Sequence, residues 1–299
     1  MPAEEPSPNA VETVALLGAG STMGKGIGAN LAGKFRVRAW NRTREKLCDL
    51  AGRDGLEVFD SPREAAAGAD VILTMLSDGD AVLATAEGAD GALAGAREGA
   101  IWLQASTIGL EATARCSGLA EQAGAVFVDA PVLGTKKPAE EGQLVILASG
   151  PEQARDRLRP LFEAIGKRAL WVGEAGAGSR LKVVVNSWIV SVVEGTAEML
   201  ALAEAVGIDP QVALDAVADG PLDLPYMRLK AKAMLERDFT PSFRLALAAK
   251  DAGLALAAAE EAGLELPMLA AIGERMAAAA EEHGDEDLAA VYLASSPSA

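Results

Sequence analysis

The chain has 299 residues, half of them apolar, and 43 acidic against 27 basic side chains give it a net charge of −16. This charge argues against nucleic acid and against anionic membrane surfaces, since both require a basic face. The only histidine, His283, lies in a charged terminal stretch, which excludes a Ser/His/Asp triad and most zinc sites, so we expect no catalytic metal.

The length of the chain exceeds the size at which one core usually stops growing, which predicts two domains. Cys48 and Cys116 lack the spacing of a disulfide framework, so we expect two small buried side chains and a reducing, cytoplasmic location. The acidic, proline-rich start predicts a disordered tail over residues 1–11. We expect no apolar run of membrane-spanning length and hence no membrane segment.

Residues 12–175 alternate short apolar runs with helical stretches, which predicts βαβ units and a mainly parallel sheet. The expected strands are 14–18, 36–40, 70–76, 100–105, 125–130, 144–149 and 169–173. Residues 176–299 are nearly all helical and rich in alanine, which predicts a separate all-α domain. Its expected helices run from 179 to about 207, then over 209–218, 224–236, 243–262 and 267–282.

A glycine-rich segment, GAGSTMGKG, runs from Gly18 to Gly26 between the first predicted strand and a helix. Glycines there let the backbone approach a pyrophosphate, while the helix N-terminus supplies amide groups and a favourable dipole. The spacing G-x-G-x-x-x-G is one residue longer than usual, and a simple tight turn is the alternative. Position at the first βα junction favours a dinucleotide site.

Asn41, Arg42 and Thr43 follow the second predicted strand, where an NAD enzyme normally has an acidic residue for the ribose hydroxyls. Arg42 can pair with a 2′-phosphate through two hydrogen bonds, with Asn41 and Thr43 adding others, so the segment predicts NADPH as the cofactor. The alternative is a turn in which Thr43 caps the next helix, and we expect that cap in either case.

The segment DAPVLGTKKPAEEGQL begins at Asp129, at the end of a predicted strand. Gly134 and Thr135 could present backbone amides and a hydroxyl to a small carboxylate, although a purely structural loop is the alternative. Lys136 and Lys137 are either solvated charges or guides for an anion.

The segment GAGSRLKVVVN, residues 176–186, places Lys182 and Asn186 four residues apart on one face of the long helix. This pair could be a proton donor and the residue that positions it, or merely a solvated stripe. The strongly apolar stretch that follows predicts a partly buried lysine, which is costly unless it is used.

Together these motifs resemble the β-hydroxyacid dehydrogenase family, which includes 3-hydroxyisobutyrate dehydrogenase and the glyoxylate/succinic semialdehyde reductases. The resemblance covers residues 12–296 and also includes TMLSD at 74–78, Ser106 with Thr107, and Lys250 with Asp251. The segments DAPVLGTKKPAEEGQLVILASG and FRLALAAKDAGLAL look most like the glyoxylate/succinic semialdehyde reductase branch. The family implies an N-terminal Rossmann doubly wound sheet, a long interdomain helix and a helical C-terminal domain that forms a homodimer or homotetramer.

By this resemblance Lys182 is the catalytic lysine, Asn186 positions it or the substrate, and Thr107 lies near the nicotinamide. Lys250 would contact the cofactor from the second domain, while Asp251 and Phe243 would shape the cleft. Phe243 could instead be a core aromatic, and Asp251 could simply pair with a neighbouring base. The remaining matched residues are, for the cofactor, Gly18, Gly20, Ser21, Thr22, Met23, Asn41, Arg42, Thr43, Met75, Leu76 and Ser77, and, for the substrate, Leu133, Gly134 and Thr135.

The resemblance therefore implies NADPH-dependent hydride transfer between the nicotinamide and a small carboxylate-bearing aldehyde, keto acid or hydroxy acid, with Lys182 as general acid or base. Leu133 stands where the family commonly has serine, which removes a donor to the substrate carboxylate and adds an apolar wall. We therefore expect a longer or more apolar acid than glyoxylate. The alternatives are imine reduction on the same scaffold, which Lys182 disfavours, and a non-catalytic NADPH-binding interaction protein.

Overall fold

The structure is a computed structural model that describes residues 10–295. Its contacts divide into two compact units, Met1–Lys182 and Val183–Ala299. The predicted domains at 12–175 and 176–299 differ from these units by the first residues of one long helix, and their boundary stays a prediction. Most of the predicted N-terminal tail, residues 1–9, lies outside the described residues.

Six parallel strands form the main sheet of the first unit, in the order β3-β2-β1-β4-β5-β6. They are β1 Thr13–Leu17, β2 Arg36–Trp40, β3 Leu56–Val58, β4 Val71–Thr74, β5 Ile101–Gln104 and β6 Val126–Asp129. Side chains alternate between the two faces, so Val14 and Leu16 enter one apolar cluster while Ala15 and Leu17 enter another. Strand order reverses between β1 and β4, which opens a crevice at their carboxyl ends.

Helices follow the strands of this sheet and cover its two apolar faces, as expected for a Rossmann domain. They are α1 Thr22–Leu31, a 3₁₀ helix Arg44–Leu47, α2 Pro62–Ala66, α3 Gly79–Ala86, α4 Ala92–Gly95, α5 Gly109–Gln122, α6 Lys136–Glu140 and α7 Glu152–Ile165. The predicted doubly wound α/β fold of the first domain is confirmed.

A second, smaller sheet in this unit contains β7 Val132–Leu133, β8 Leu144–Ala148 and β9 Gly166–Trp171. β7 is antiparallel to β8, whereas β8 and β9 are parallel. Placing the strands near 144–149 and 169–173 in the main sheet was therefore wrong, and β3 and β7 were not predicted. A bridge between Asp129 and Ser149 links the two sheets.

The second unit is helical, and the predicted all-α domain is confirmed. Its helices are α8 Ala177–Ala205, which begins in the first unit, α9 Pro210–Val217, α10 Pro225–Glu236, α11 Leu245–Glu261, α12 Pro267–His283 and a 3₁₀ helix Leu288–Ala294. Proline occupies the first turn of α9, α10 and α12, where its missing amide costs no hydrogen bond.

Within residues 10–295, α8 is the one helix long and apolar enough to cross a membrane, judged by length and composition alone. The expectation that no such run exists was wrong, because the apolar stretch continues past Glu194. Val190, Val193, Ala197 and Leu200 on this helix pack into the core of the helical unit. A core helix of a large domain shows the same composition.

The two cysteines differ in burial. Cys116 is buried in α5, and burial raises the pKa of its thiol to about 12, which makes it unreactive at neutral pH. Cys48 is exposed at the end of the 3₁₀ helix, so the expectation that both side chains are buried was wrong for this one.

An ion pair between a buried glutamate and a half-buried arginine joins α8 and α12 in the helical unit. Arg275 Nε lies 2.6 Å from Glu194 Oε1, and the glutamate side chain is almost fully buried. Burial raises the pKa of the Glu194 carboxyl from its ordinary 4.5 to about 7; Arg275 opposes the rise and Glu198 adds to it. Loss of hydration therefore outweighs the attraction of the arginine.

We expect the difference in unfolding free energy between the wild-type protein and a Glu194→Gln variant to depend on pH. Because the pKa is higher in the folded state, the contribution of Glu194 is fully present below about pH 4.5 and is lost as the pH rises through about 7. Between these two pH values the difference in unfolding free energy should change by roughly 3 kcal/mol, at about 1.4 kcal/mol per pKa unit. Urea unfolding at about pH 4 and about pH 8 measures it; an equal difference at both values would contradict it.

Candidate active site

The glycine loop between β1 and α1 turns sharply against two neighbouring strands. Gly18 has a φ of +90°, and the amides of Gly18 and Ala19 donate to Trp40 O at 2.9 and 3.1 Å. A Cβ on Gly18 would lie 2.2 Å from Met75 O, so only glycine fits there. Ser21 caps α1 by accepting a hydrogen bond from Gly24 N, so the extra residue of the motif lies inside the helix.

The start of α1 can receive an anion. Thr22 and Met23 occupy its first turn, where backbone amides have no acceptor within the helix and the helix dipole favours negative charge. Ser21 Oγ donates to Met75 O at 3.2 Å, which joins this turn to the loop after β4. The geometry fits the pyrophosphate of a dinucleotide at the point where strand order reverses.

In the segment after β2, Asn41 supports the glycine loop and Arg42 is exposed to solvent. Asn41 Oδ1 accepts from Gly20 N at 3.2 Å, and its amide nitrogen donates to Thr43 O at 2.8 Å, so Asn41 braces the glycine loop. Arg42 is exposed beside it. Thr43 precedes the 3₁₀ helix but makes no capping hydrogen bond among the described residues, so the expected side-chain cap was wrong.

A buried polar network supports the loops after β4 and β5. Gln104 Oε1 accepts from Ser106 N at 2.7 Å, and Gln104 Nε2 donates to Ser106 O at 2.9 Å. Ser106 Oγ in turn accepts from Leu76 N at 2.8 Å. The network therefore joins the loop after β4, at Leu76, to the loop after β5 that continues from Ser106 into Thr107. Sequence reasoning missed Gln104, although a polar residue in an apolar strand was an available signal.

Lys182 reaches the predicted substrate loop, residues 133–135, within the first unit. Its side chain is only 8% exposed, and Nζ donates to Val132 O at 2.8 Å, directly before Leu133. Leu133 and Thr135 are half-buried, and the Thr135 hydroxyl makes no capping hydrogen bond within the described chain. The structure therefore brings the candidate proton donor and the candidate substrate loop together.

The substrate loop is itself anchored to α1. Gly134 has a φ of +131°, and a Cβ there would lie 2.8 Å from the side chain of Leu144. A Cβ on Gly26 would lie 2.7 Å from the backbone of Ala139 in α6, and Asn30 Nδ2 donates to Ala139 O at 2.7 Å. The helix that follows the substrate loop thus packs closely against the helix that follows the glycine loop.

Lys136 and Lys137 are both exposed and lie near acidic partners one turn along α6. Lys136 is 4.0 Å from Glu140, and Lys137 is 3.7 Å from Glu141. Ion pairs of this kind between exposed side chains contribute little to stability. The arrangement agrees with the interpretation of both lysines as solvated charges.

A buried polar cluster in the helical unit contains three of the other candidates. Asn186 Nδ2 donates to Asp251 Oδ2 at 2.5 Å, and Lys250 Nζ lies 3.1 Å from Asp251 Oδ1. Asn186 Oδ1 is buried and accepts no hydrogen bond from the residues that the structure describes. Asp251 therefore orients Asn186 and pairs with Lys250. This arrangement agrees with the simpler alternative, in which Asp251 pairs with a neighbouring base.

Phe243 lies just before α11 and packs, half-buried, against the core of the helical unit. Its amide donates to Asp287 Oδ2 at 3.2 Å. The contacts within this unit agree with the interpretation of Phe243 as a core aromatic, and its role in shaping a cleft stays a prediction.

Comparison with known proteins identifies the family. Residues 13–173 match the NAD binding domain of 6-phosphogluconate dehydrogenase, and residues 176–294 match the NAD-binding region of NADP-dependent 3-hydroxyisobutyrate dehydrogenase. The chain belongs to the β-hydroxyacid dehydrogenase family. Members of this family are NAD(P)-dependent dehydrogenases or reductases acting on a CH–OH group, so the protein is an enzyme with a nicotinamide cofactor.

Two plant proteins and one bacterial structure represent the family. Glyoxylate/succinic semialdehyde reductase 1 of Arabidopsis thaliana is 35% identical over 94% of this chain and 97% of its own length. The chloroplastic glyoxylate/succinic semialdehyde reductase 2 of the same plant is 35% identical over 86% of this chain and 72% of its own length. The structure of 3-hydroxyisobutyrate dehydrogenase from Mycobacterium tuberculosis, solved with L-serine, has a TM-score of 0.85. It is 31% identical and covers 95% of this chain and 98% of its own.

Proposed function

We propose that the protein is an NADPH-dependent reductase that converts a small aldehyde or keto acid into a hydroxy acid, with Lys182 as the general acid. The observation that carries this proposal is the buried Lys182 ammonium group, held 2.8 Å from Val132 O beside the substrate loop. In the reverse direction the same side chain, as a free amine, accepts the hydroxyl proton. One lysine serves both directions.

The nicotinamide supplies or accepts the hydride when it is bound. The first turn of α1 would hold the pyrophosphate. The hydrogen bonds of Gln104 and Ser106 fix the loops after β4 and β5. Lys182 transfers the proton at the substrate oxygen. Asn186, oriented by Asp251, helps to position the substrate or the lysine.

The preference for NADPH is supported by the residues after β2. No carboxylate occurs in the segment Asn41–Thr43, and Arg42 is exposed. An exposed guanidinium can form two parallel hydrogen bonds to a phosphate. Asn41 contributes by fixing the glycine loop against this segment.

The first experiment is NADPH oxidation by the purified enzyme with glyoxylate, succinic semialdehyde, methylmalonate semialdehyde and one cyclic imine, repeated with NADH. We expect turnover of a semialdehyde, faster with NADPH than with NADH. Turnover of the cyclic imine alone would overturn the assignment in favour of imine reduction. Tight NADPH binding without turnover of any substrate would favour a non-catalytic protein.

Leu133 is expected to set the substrate preference. The names of the two Arabidopsis reductases include both glyoxylate and succinic semialdehyde; here we propose that the longer acid is preferred. A Leu133→Ser variant regains a donor to the carboxylate, and a hydrogen bond to a charged group contributes about 1.5–3 kcal/mol. The kcat/KM for glyoxylate should therefore rise about 10-fold or more. The value for succinic semialdehyde should rise less, because the longer acid also loses its contact with the apolar Leu133 side chain. A higher kcat/KM of the wild-type enzyme for glyoxylate than for succinic semialdehyde would contradict the proposal.

We also propose that the enzyme is a homodimer or homotetramer assembled through its helical unit. Val184, Trp188 and Leu202 lie on one stripe of α8 and are each more than 60% exposed, with Gly195 between them. Trp188→Glu and Leu202→Glu should lower the mass measured by light scattering. Leu264→Glu is the control, because Leu264 is 57% exposed and lies outside this stripe. A monomeric wild-type protein would contradict the proposal.

A further inference from the structure

A buried carboxylate holds the first turn of the helix that carries Lys182. Asp129, at the end of β6, is fully buried. Its Oδ2 accepts a hydrogen bond from Ser179 N at 2.7 Å, and its Oδ1 accepts one from Ser179 Oγ at 2.7 Å. Both carboxylate oxygens are thus bonded to one residue in the first turn of α8, where the helix dipole favours a negative charge.

Ser149 and Gly178 complete this attachment. Ser149 Oγ lies 3.2 Å from Asp129 Oδ2 and accepts from Gly178 N at 2.9 Å. A Cβ on Gly178 would lie 2.2 Å from Leu147 O, so glycine permits the close approach of α8 to β8. Thr113 Oγ1 of α5 lies 3.0 Å from Ser179 Oγ. Elements from both sheets and from α5 therefore converge on this single turn.

The spacing of these contacts connects them to Lys182. Ser179 and Lys182 are three residues apart in α8 and share one face of the helix. Their partners, Asp129 and Val132, are also three residues apart, in the segment that leads into the substrate loop. The helix is therefore attached to this segment at two points, one through the Asp129 carboxylate and one through the lysine itself. A rotation or slide of the first turn would move Nζ relative to Leu133.

We infer that Asp129, together with Ser149 and Ser179, forms a positioning site for Lys182, which fixes its ammonium group against the substrate loop. The inference rests on the proposed role of Lys182 as the proton donor. Asp129 and its partners touch neither cofactor nor substrate in this scheme; they act through the lysine. Burial raises the pKa of the Asp129 carboxyl, and the hydrogen bonds from Ser179 oppose that rise.

The experiment compares Ser179→Ala and Asp129→Asn with Thr85→Ala, which removes another buried hydroxyl bond of the same unit, from Thr85 Oγ1 to Ala81 O. Steady-state kinetics gives kcat, KM and the pH profile of kcat, and fluorescence titration gives the Kd for NADPH. We expect kcat to fall about 10-fold or more in the first two variants, because a small misplacement of a catalytic group is costly. The pH profile should shift, while the Kd for NADPH stays within about twofold. Thr85→Ala should change none of these quantities.

A second measurement does not depend on turnover. The rate at which acetic anhydride modifies Lys182, followed by peptide mass spectrometry, should rise in Ser179→Ala and Asp129→Asn and stay unchanged in Thr85→Ala. Unchanged kcat, pH profile and modification rate in the two folded variants would overturn the inference and leave Asp129 with a purely structural role. If Lys182→Ala retains full turnover, the proposed function fails, and the modification rate still reports whether Asp129 positions the lysine.

Discussion

A Lys182→Ala variant is expected to lose most of its turnover while it still binds NADPH. General acid–base catalysis by a positioned side chain contributes about 10²- to 10⁴-fold, so kcat should fall by that amount. The glycine loop and Arg42 are unaltered in this variant, so the Kd for NADPH should stay within about twofold, since no cofactor-binding group is removed. Stopped-flow measurement of hydride transfer and fluorescence titration of NADPH test the two parts separately.

Lys182→Arg is the matched control for charge. Arginine keeps the positive charge in the buried position, but its very high pKa prevents it from giving up a proton at neutral pH. If Lys182 transfers a proton, the arginine variant should be nearly as slow as the alanine variant. Full activity in Lys182→Arg would show that charge alone suffices, and full activity in Lys182→Ala would contradict the role of Lys182 altogether.

An Arg42→Ala variant is expected to lose affinity for NADPH and to keep its affinity for NADH. The two hydrogen bonds between a guanidinium and the 2′-phosphate contribute about 1.5–3 kcal/mol, which corresponds to roughly a 10- to 100-fold rise in the Kd for NADPH. NADH has no 2′-phosphate, so its Kd should change little. Fluorescence titration with both nucleotides gives the ratio directly.

Arg53→Ala provides the control for this variant, because Arg53 is also exposed in the same unit but follows the 3₁₀ helix instead of β2. It should leave both affinities unchanged. Equal losses for NADPH and NADH in Arg42→Ala would mean that Arg42 contacts a part common to both cofactors, such as adenine, and would contradict its role in choosing between them.

Local sequence patterns predicted most of the fold. The α-helices of the second unit were placed within a few residues, because proline and glycine mark their ends and apolar residues recur at helical spacing. The 3₁₀ helix Leu288–Ala294 was not predicted. β3 and β7 escaped because they contain three and two residues, too few for a period to show. The separate small sheet was not predicted, because the pairing of strands depends on contacts between residues distant in the chain, which a local pattern does not encode.

The candidate site was predicted less evenly. Lys182 and the substrate loop were found from motifs, and the structure brings the two together through Val132 O. The amide group of Asn41 is bonded to Gly20 N and Thr43 O, and its contact with the cofactor stays a prediction. Asp129 was missed because its importance depends on Ser179, fifty residues along the chain, which comes close only when the strands are assembled. Gln104 was missed although its partner Ser106 is two residues away and a polar residue in an apolar strand was an available signal.

The close packing of α1 against α6 has a consequence for engineering this enzyme. A chimera that receives residues 129–142 of a relative, which contain the substrate loop and α6, also receives the surface of α6 that faces Gly26 and Asn30. A larger residue at either contact would shift the glycine loop as well, so a change meant for the substrate would alter cofactor binding. Residues 129–142 should therefore be exchanged together with positions 26 and 30, so that the contact between α1 and α6 comes from one protein.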